Sequence, residues 1–169
     1  ELSFQEYETS KYLKEVLSSW NIEIDAKWVE TGFSVVIDSG KVGKTIALRA
    51  DLDALPIQEK NNTSYKSQND GIMHACGHDV HSACLMGVAK ILSEMKDQFS
   101  GKIILFFQAG EEKLPGGASL MIKEGIIDKY KPDAMIAQHV YPEFEAGLFG
   151  FREGMYMASA DEVYLKVIG

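Results

Sequence analysis

Ile103-Ile104-Leu105-Phe106-Phe107-Gln108-Ala109-Gly110-Glu111-Glu112 joins an unbroken apolar run to a tight segment carrying two carboxylates. An apolar run without polar alternation suits a strand covered on both faces, the habit of α/β sheets rather than of half-solvated antiparallel ones. Neighbouring runs fit the same sheet. Residues 33–37 and 45–50 are short and rich in β-branched side chains, and Asp38-Ser39-Gly40 between them reads as a turn joining two strands. Residues 134–137 form another short apolar run, and further strands are expected at 147–151 and 163–167. Helical patterns alternate with these. Ser3 and Glu6 have capping-box spacing, and Phe4, Leu13, Val16, Leu17 and Trp20 recur at helical intervals, which predicts an amphipathic helix over 3–20. Leu85, Val88, Ala89, Leu92 and Met95 mark a helix running to about residue 96, and residues 118–124 suggest another before Gly125. Residues 56–71 are polar and punctuated by Asn61-Asn62 and Asn69-Asp70-Gly71, so they read as a long irregular loop, a class that often carries function. The order of elements indicates an α/β layer structure.

Polar residues gather just beyond these strands. Asp51 and Asp53 follow residues 45–50, Glu111 and Glu112 follow 103–107, and His139 follows 134–137. Open α/β sheets build their sites at such strand ends. Adjacent glutamates there can divide labour, one binding a metal while the other holds or deprotonates a water. The same residues also have plainer uses: a solvated glutamate pair, a hydrogen-bonded strand-end histidine, or aspartates that cap a helix or pair with Arg49.

The densest chemistry is His74-Ala75-Cys76-Gly77-His78-Asp79-Val80-His81, which holds three of the four histidines, one of the two cysteines and a carboxylate at the start of the helix that follows. Thiolate and imidazole are good ligands for borderline-soft divalent metals, and Gly77 permits the tight backbone that lets Cys76 and His78 converge. Buried, hydrogen-bonded histidines beside an inert core cysteine would explain any one of these residues, but not their density.

The 169 residues suffice for one domain with a sizeable core, and 46% hydrophobic content argues against disorder. Seventeen basic and 25 acidic side chains give a net charge of −8, with no Lys/Arg cluster to track phosphates, so nucleic acid is not an expected partner. No apolar run reaches the ~20 residues that span a bilayer, and a water-soluble chain without a membrane partner is expected. With only Cys76 and Cys84, a disulfide framework is not expected and a reducing compartment, the cytoplasm, is favoured.

Four groups of residues together resemble, in order, the motifs of the metal-dependent N-acyl-amino-acid amidohydrolases. They are Arg49-Ala-Asp51-Leu-Asp53-Ala-Leu-Pro56, His74-Ala-Cys-Gly-His78-Asp-Val-His81, Phe107-Gln-Ala-Gly-Glu111-Glu112 with Pro115-Gly-Gly-Ala118, and Gln138-His139. That family is a branch of the aminoacylase and carboxypeptidase superfamily and includes hippurate and auxin-conjugate hydrolases. Even Glu1-Leu-Ser-Phe-Gln-Glu6 resembles its opening motif. Several ordered motifs are far more specific than one short pattern. The resemblance implies a zinc-peptidase-like catalytic domain, a mixed β-sheet sandwiched between helices, carrying two divalent ions, Mn²⁺ or Zn²⁺. It implies Cys76, His78, Glu112 and His139 as metal ligands and Glu111 as general base. Asp51, Asp79 and His81 would orient those ligands through hydrogen bonds, although His74 and His81 are equally open to structural roles. The substrate would be a small N-acyl amino acid, peptide or conjugate.

Two departures stand out. Ala109 and Gly110 occupy positions where the family usually has Pro and Ala, which leaves both glutamates in place. The family's chain also continues through an inserted lid and dimerisation domain and returns with a last metal-ligand histidine. On that comparison, residues 1–160 are the N-terminal part of a catalytic domain truncated before the lid, and residues 161–169 are the lid's first strand. The parent protein is then expected to be a homodimer through the lid, and this chain alone to be inactive. Two alternatives remain open on sequence: a non-catalytic metal-binding fragment, and a cysteine hydrolase with Cys76 as nucleophile.

Overall fold

The computed structural model describes residues 1–156 and 163–168. Its centre is a five-stranded mixed sheet in the order β1-β2-β4-β3-β5. The strands are β1 (Ile24–Trp28), β2 (Gly32–Asp38), β3 (Thr45–Asp51), β4 (Lys102–Gln108) and β5 (Ala134–Ala137). β4, the run that opened the sequence, lies between β2, to which it is antiparallel, and β3, to which it is parallel. β5 continues parallel to β3 at one edge, and β1 closes the other edge antiparallel to β2.

Side chains alternate across a strand, so β4 feeds two cores. Leu105 and Phe107 join Phe33, Val35 and Ile37 of β2 under α1 (Tyr7–Ser19) and α2 (His78–Glu94), whose Leu13, Leu17, Leu85, Met86 and Ala89 complete the cluster. Phe33 and Phe107 pair in register and stack with ring centroids 4.4 Å apart. Ile104 and Phe106 face the other way, against Trp28, Met121 of α3 (Gly117–Lys123) and Ile126 of α4 (Ile126–Tyr130). The molecule is therefore a mixed sheet between two helical layers, as expected.

Several sequence expectations change. Strands do flank Asp38-Ser39-Gly40, but β2 and β3 are not neighbours, because the doubly apolar β4 takes the central position between them, where both of its faces are covered. α1 begins at Tyr7 rather than Ser3. Ser3 does not cap it; its hydroxyl donates to the buried carboxylate of Asp53 at 2.6 Å, and Leu2 bridges to Ala54, so the chain before the helix is tied to the end of β3. β1 and α4, of five residues each, were not foreseen: both are too short to show a period. Among the described residues, no strand forms at 147–151 or 163–167, and the sheet consists of the five strands given above. Residues 161, 162 and 169 of the expected lid strand lie outside the described residues. No helix of the described residues is long and apolar enough to cross a membrane.

Candidate metal centre

β3, β4 and β5 are mutually parallel, so their C-terminal ends reach the same edge of the sheet, and α2 begins there. This topology gathers Asp51 and Asp53 from β3, Glu111 and Glu112 from β4, His139 from β5, and Cys76, His78 and His81 from the start of α2. Gly77 makes the approach possible. It adopts φ +87°, and a β-carbon on it would meet the Val140 side chain at 2.3 Å, so the turn that presents Cys76 and His78 accepts only glycine at this point.

His78 is 1% exposed. Its Nδ1 lies 3.1 Å from Asp53 Oδ1, which places the ring proton on Nδ1 and leaves the Nε2 lone pair pointing into the site. Around that Nε2 stand Asp51 Oδ2 at 3.6 Å, Glu112 Oε1 at 3.7 Å and Glu111 Oε2 at 3.9 Å. Among the described residues, neither Nε2 of His78 nor Oε1 of Glu112 has a hydrogen-bond partner, although both are buried. Orphaned buried acceptors cost on the order of 1–3 kcal/mol each, and two that face one another need a proton or a cation between them. A histidine whose distal nitrogen is held by a carboxylate is the arrangement that orients imidazole on a metal.

On the β5 side, His139 Nδ1 donates to the Val140 carbonyl at 2.8 Å and its Nε2 lies 3.3 Å from Cys76 Sγ. His81 is spent differently: Nδ1 bonds Asp51 Oδ1 at 2.7 Å while Nε2 accepts the Val140 N–H at 3.0 Å. His81 thereby fixes the backbone next to His139. Asp51 is also paired with Arg49 at 2.7 Å, and Arg49 reaches Gln108 at 2.8 Å. Among the described residues, three sets of ligand atoms fall within 4.8 Å of one another: Cys76, His78 and His139; Asp51, His78 and His81; and His78, Glu111 and Glu112. Asp79 is not brought in. It is exposed on the first turn of α2 and hydrogen-bonds none of these side chains.

Electrostatics set the groups of this cluster apart. Burial alone would raise the Asp53 carboxyl, yet hydrogen bonds from His78, Ser3 and the backbone N–H groups of Glu112 and Glu111 outweigh it and hold it well below the usual carboxylate range. Burial, reinforced by the charge of Glu112, pushes Glu111 up. For His78, burial works downward but is outweighed by Asp53 and Asp51, so its value rises. Burial, then Glu112, pushes the Cys76 thiol up to about 12, the opposite of the low value a cysteine nucleophile requires.

Asp53 is the contact that the sequence reading did not place on His78. Its spacing of two from Asp51 at a strand end was the available signal. Ser3 was also missed as a partner of Asp53, because its spacing from Glu6 imitates a helix cap.

The sequence matches a known family. The model of peptidase family M20/M25/M40 matches residues 47–163, which is more than half of the sequence. The chain belongs to that family. Among M20 relatives it is 40% identical over its whole length to the N-acyl-L-amino acid amidohydrolase of Geobacillus stearothermophilus, covering 45% of that protein. It is likewise 40% identical to the hippurate hydrolase of Campylobacter jejuni, covering 43% of it. It superposes with a TM-score of 0.86 on the crystal structure of the Bacillus subtilis YXEP protein, described as a dinuclear metal-binding peptidase of the M20 family, at 39% identity over 91% of this chain and 43% of that one. The M20 chain thus spans less than half the length of these relatives.

Proposed function

We propose that the protein carrying this chain is a divalent-metal-dependent hydrolase that cleaves the amide bond of N-acyl amino acids, or of related small peptides and conjugates. The observation that carries the reading is the buried, unpartnered pair of His78 Nε2 and Glu112 Oε1 beside Glu111. Cys76, His78, Glu112 and His139 would hold two divalent ions, Mn²⁺ or Zn²⁺; the mixed thiol, imidazole and carboxylate set suits such borderline ions. When bound, the ions supply a lowered pKa for water and polarise the substrate carbonyl.

The chain's own residues supply the proton handling. Glu111 is less buried than its neighbours, with 41% of its side chain exposed, so a substrate amide can reach it. Its raised pKa suits a group that takes a proton from the attacking water and returns it to the departing amine. Asp53 holds the His78 ring, while Asp51 holds His81, which in turn fixes Val140 beside His139. Asp79 has no comparable contact, and we assign it no role in orienting ligands.

On the family resemblance, residues 1–160 belong to the catalytic domain, residues 161–169 open the lid through which the protein would dimerise, and the cytoplasm is the proposed location. The full-length protein, assayed on a panel of N-acetyl and N-benzoyl amino acids, is expected to release the free amino acid, to lose activity on chelation and to recover it with Mn²⁺ or Zn²⁺. Undiminished activity after exhaustive chelation would remove the reading.

A further inference from the structure

Glu6 is a carboxyl group with 0% exposure in a position that the proposed chemistry leaves unexplained. Its Oε1 accepts the backbone N–H of Gly110 at 2.7 Å and that of Phe4 at 3.0 Å, and its Oε2 accepts the Thr31 hydroxyl at 2.5 Å. Gly110 immediately precedes Glu111. It adopts φ +55°, and a β-carbon there would strike the Phe4 ring at 2.3 Å, so residues 4 and 6 clasp this peptide from two sides. Beyond Glu111, the Glu112 N–H donates to Asp53 Oδ2 at 2.9 Å, the same oxygen that receives the Ser3 hydroxyl at 2.6 Å. Glu111 therefore sits between two anchored backbone N–H groups. Both anchors lead to residues 3–6: directly through Glu6, and through Ser3 by way of Asp53.

We propose that residues 3–6 form a strap that positions Glu111, with Glu6 as its principal positioning residue. The inference rests on the reading of Glu111 as the base. An acceptor with no freedom to move costs nothing to reorganise during turnover, and a displacement of about 1 Å at a reacting group lowers rates on the order of 100-fold. A buried carboxyl that served only α1 would have no reason to reach a peptide 104 residues away.

The test compares Glu6→Gln, which keeps an oxygen for both N–H groups, with Glu6→Met, of similar size and without an acceptor, in the full-length metal-loaded protein. In Glu6→Met, kcat is expected to fall on the order of 10- to 100-fold, with KM and metal content unchanged, while Glu6→Gln retains most of kcat. In the metal-free protein, hydrogen exchange at the Gly110 amide should accelerate in Glu6→Met and remain slow in Glu6→Gln. Normal kcat and slow exchange in Glu6→Met would overturn the proposal, as would equal impairment of both variants or a loss of metal in Glu6→Met. Should Glu6→Met not fold, Thr31→Val removes only the hydroxyl that fixes Oε2 and carries the same expectation, and normal kcat with slow exchange there would overturn it. A wild-type protein that hydrolyses no N-acyl amino acid would defeat the proposed function, while the exchange measurement would still report on the strap.

Discussion

The Nε2 of His78 and the Oε1 of Glu112 are buried 3.7 Å apart, and neither has a hydrogen-bond partner among the described residues. One comes from the start of α2 and the other from the segment after β4, so the fold sets two acceptors face to face. Asp53 joins them. It binds Nδ1 of His78 through one oxygen and the N–H of Glu112 through the other. Asp53→Asn is therefore expected to weaken divalent-metal affinity about 10- to 100-fold. Asp79→Asn, exposed on the same helical turn, should stay within about 0.5 kcal/mol of wild type. Titration calorimetry with Zn²⁺ or Mn²⁺ on the two variants separates them, and equal effects would dissolve the distinction.

Cys76 provides a second check. Its thiol is held protonated and lies against His139 and Glu112. As a metal ligand it should be replaceable only at a cost in metal content, so Cys76→Ser is expected to lower the metal found by elemental analysis of the purified protein. Alkylation of wild type should be slow when metal is bound and faster after chelation. A variant that keeps full metal but loses all turnover would revive Cys76 as a nucleophile.

The helical layer opposite α1 and α2 carries a pH-dependent tie. Asp25 of β1 accepts from Lys129 Nζ at 2.6 Å and from the Tyr130 hydroxyl at 2.5 Å, both on α4, and these contacts, Lys129 first, hold its carboxyl below the usual range. A depressed carboxyl stabilises the fold above its unfolded pKa and loses that contribution as pH falls through the folded value. Because the pair is partly exposed, the contribution should not exceed about 1 kcal/mol. Urea melts should show Asp25→Asn destabilised near neutral pH and converging on wild type once the pH has fallen through the depressed carboxyl's range. A constant difference across that range would contradict the assignment.

Phe107 tests the core that carries β4. It is fully buried and stacked on Phe33, so Phe107→Ala is expected to cost about 3–5 kcal/mol in chemical denaturation. A loss below that of a surface substitution would show that the stack is not where the sheet draws its stability.

The fold was legible where burial leaves a one-dimensional trace. Residues 103–107 are apolar without interruption because both neighbouring layers cover β4, and the stripe from Leu85 to Leu92 follows from one helix face meeting the sheet. Strand order left no such trace: nothing in Asp38-Ser39-Gly40 says that β4 will come between β2 and β3. Candidate ligands were legible because His74 to His81 concentrates rare side chains in eight residues. The contacts of Asp53, Ser3 and Glu6 were not, since they join residues 25, 50 and 104 positions apart in sequence. The Ser3 and Glu6 spacing even favoured a local explanation, a helix cap, which the nearby Asp53 and Gly110 outcompete.

The central claim is that Glu111 moves the proton while Glu112 holds metal, and one paired measurement tests it: metal content and kcat for Glu111→Gln and Glu112→Gln in the full-length protein on an N-acyl amino acid substrate. The account predicts that Glu111→Gln keeps its metal and loses amide hydrolysis, because an amide cannot accept the proton of the attacking water, whereas Glu112→Gln loses metal together with activity. Near-normal turnover in Glu111→Gln, or equal metal loss in the two variants, would contradict it.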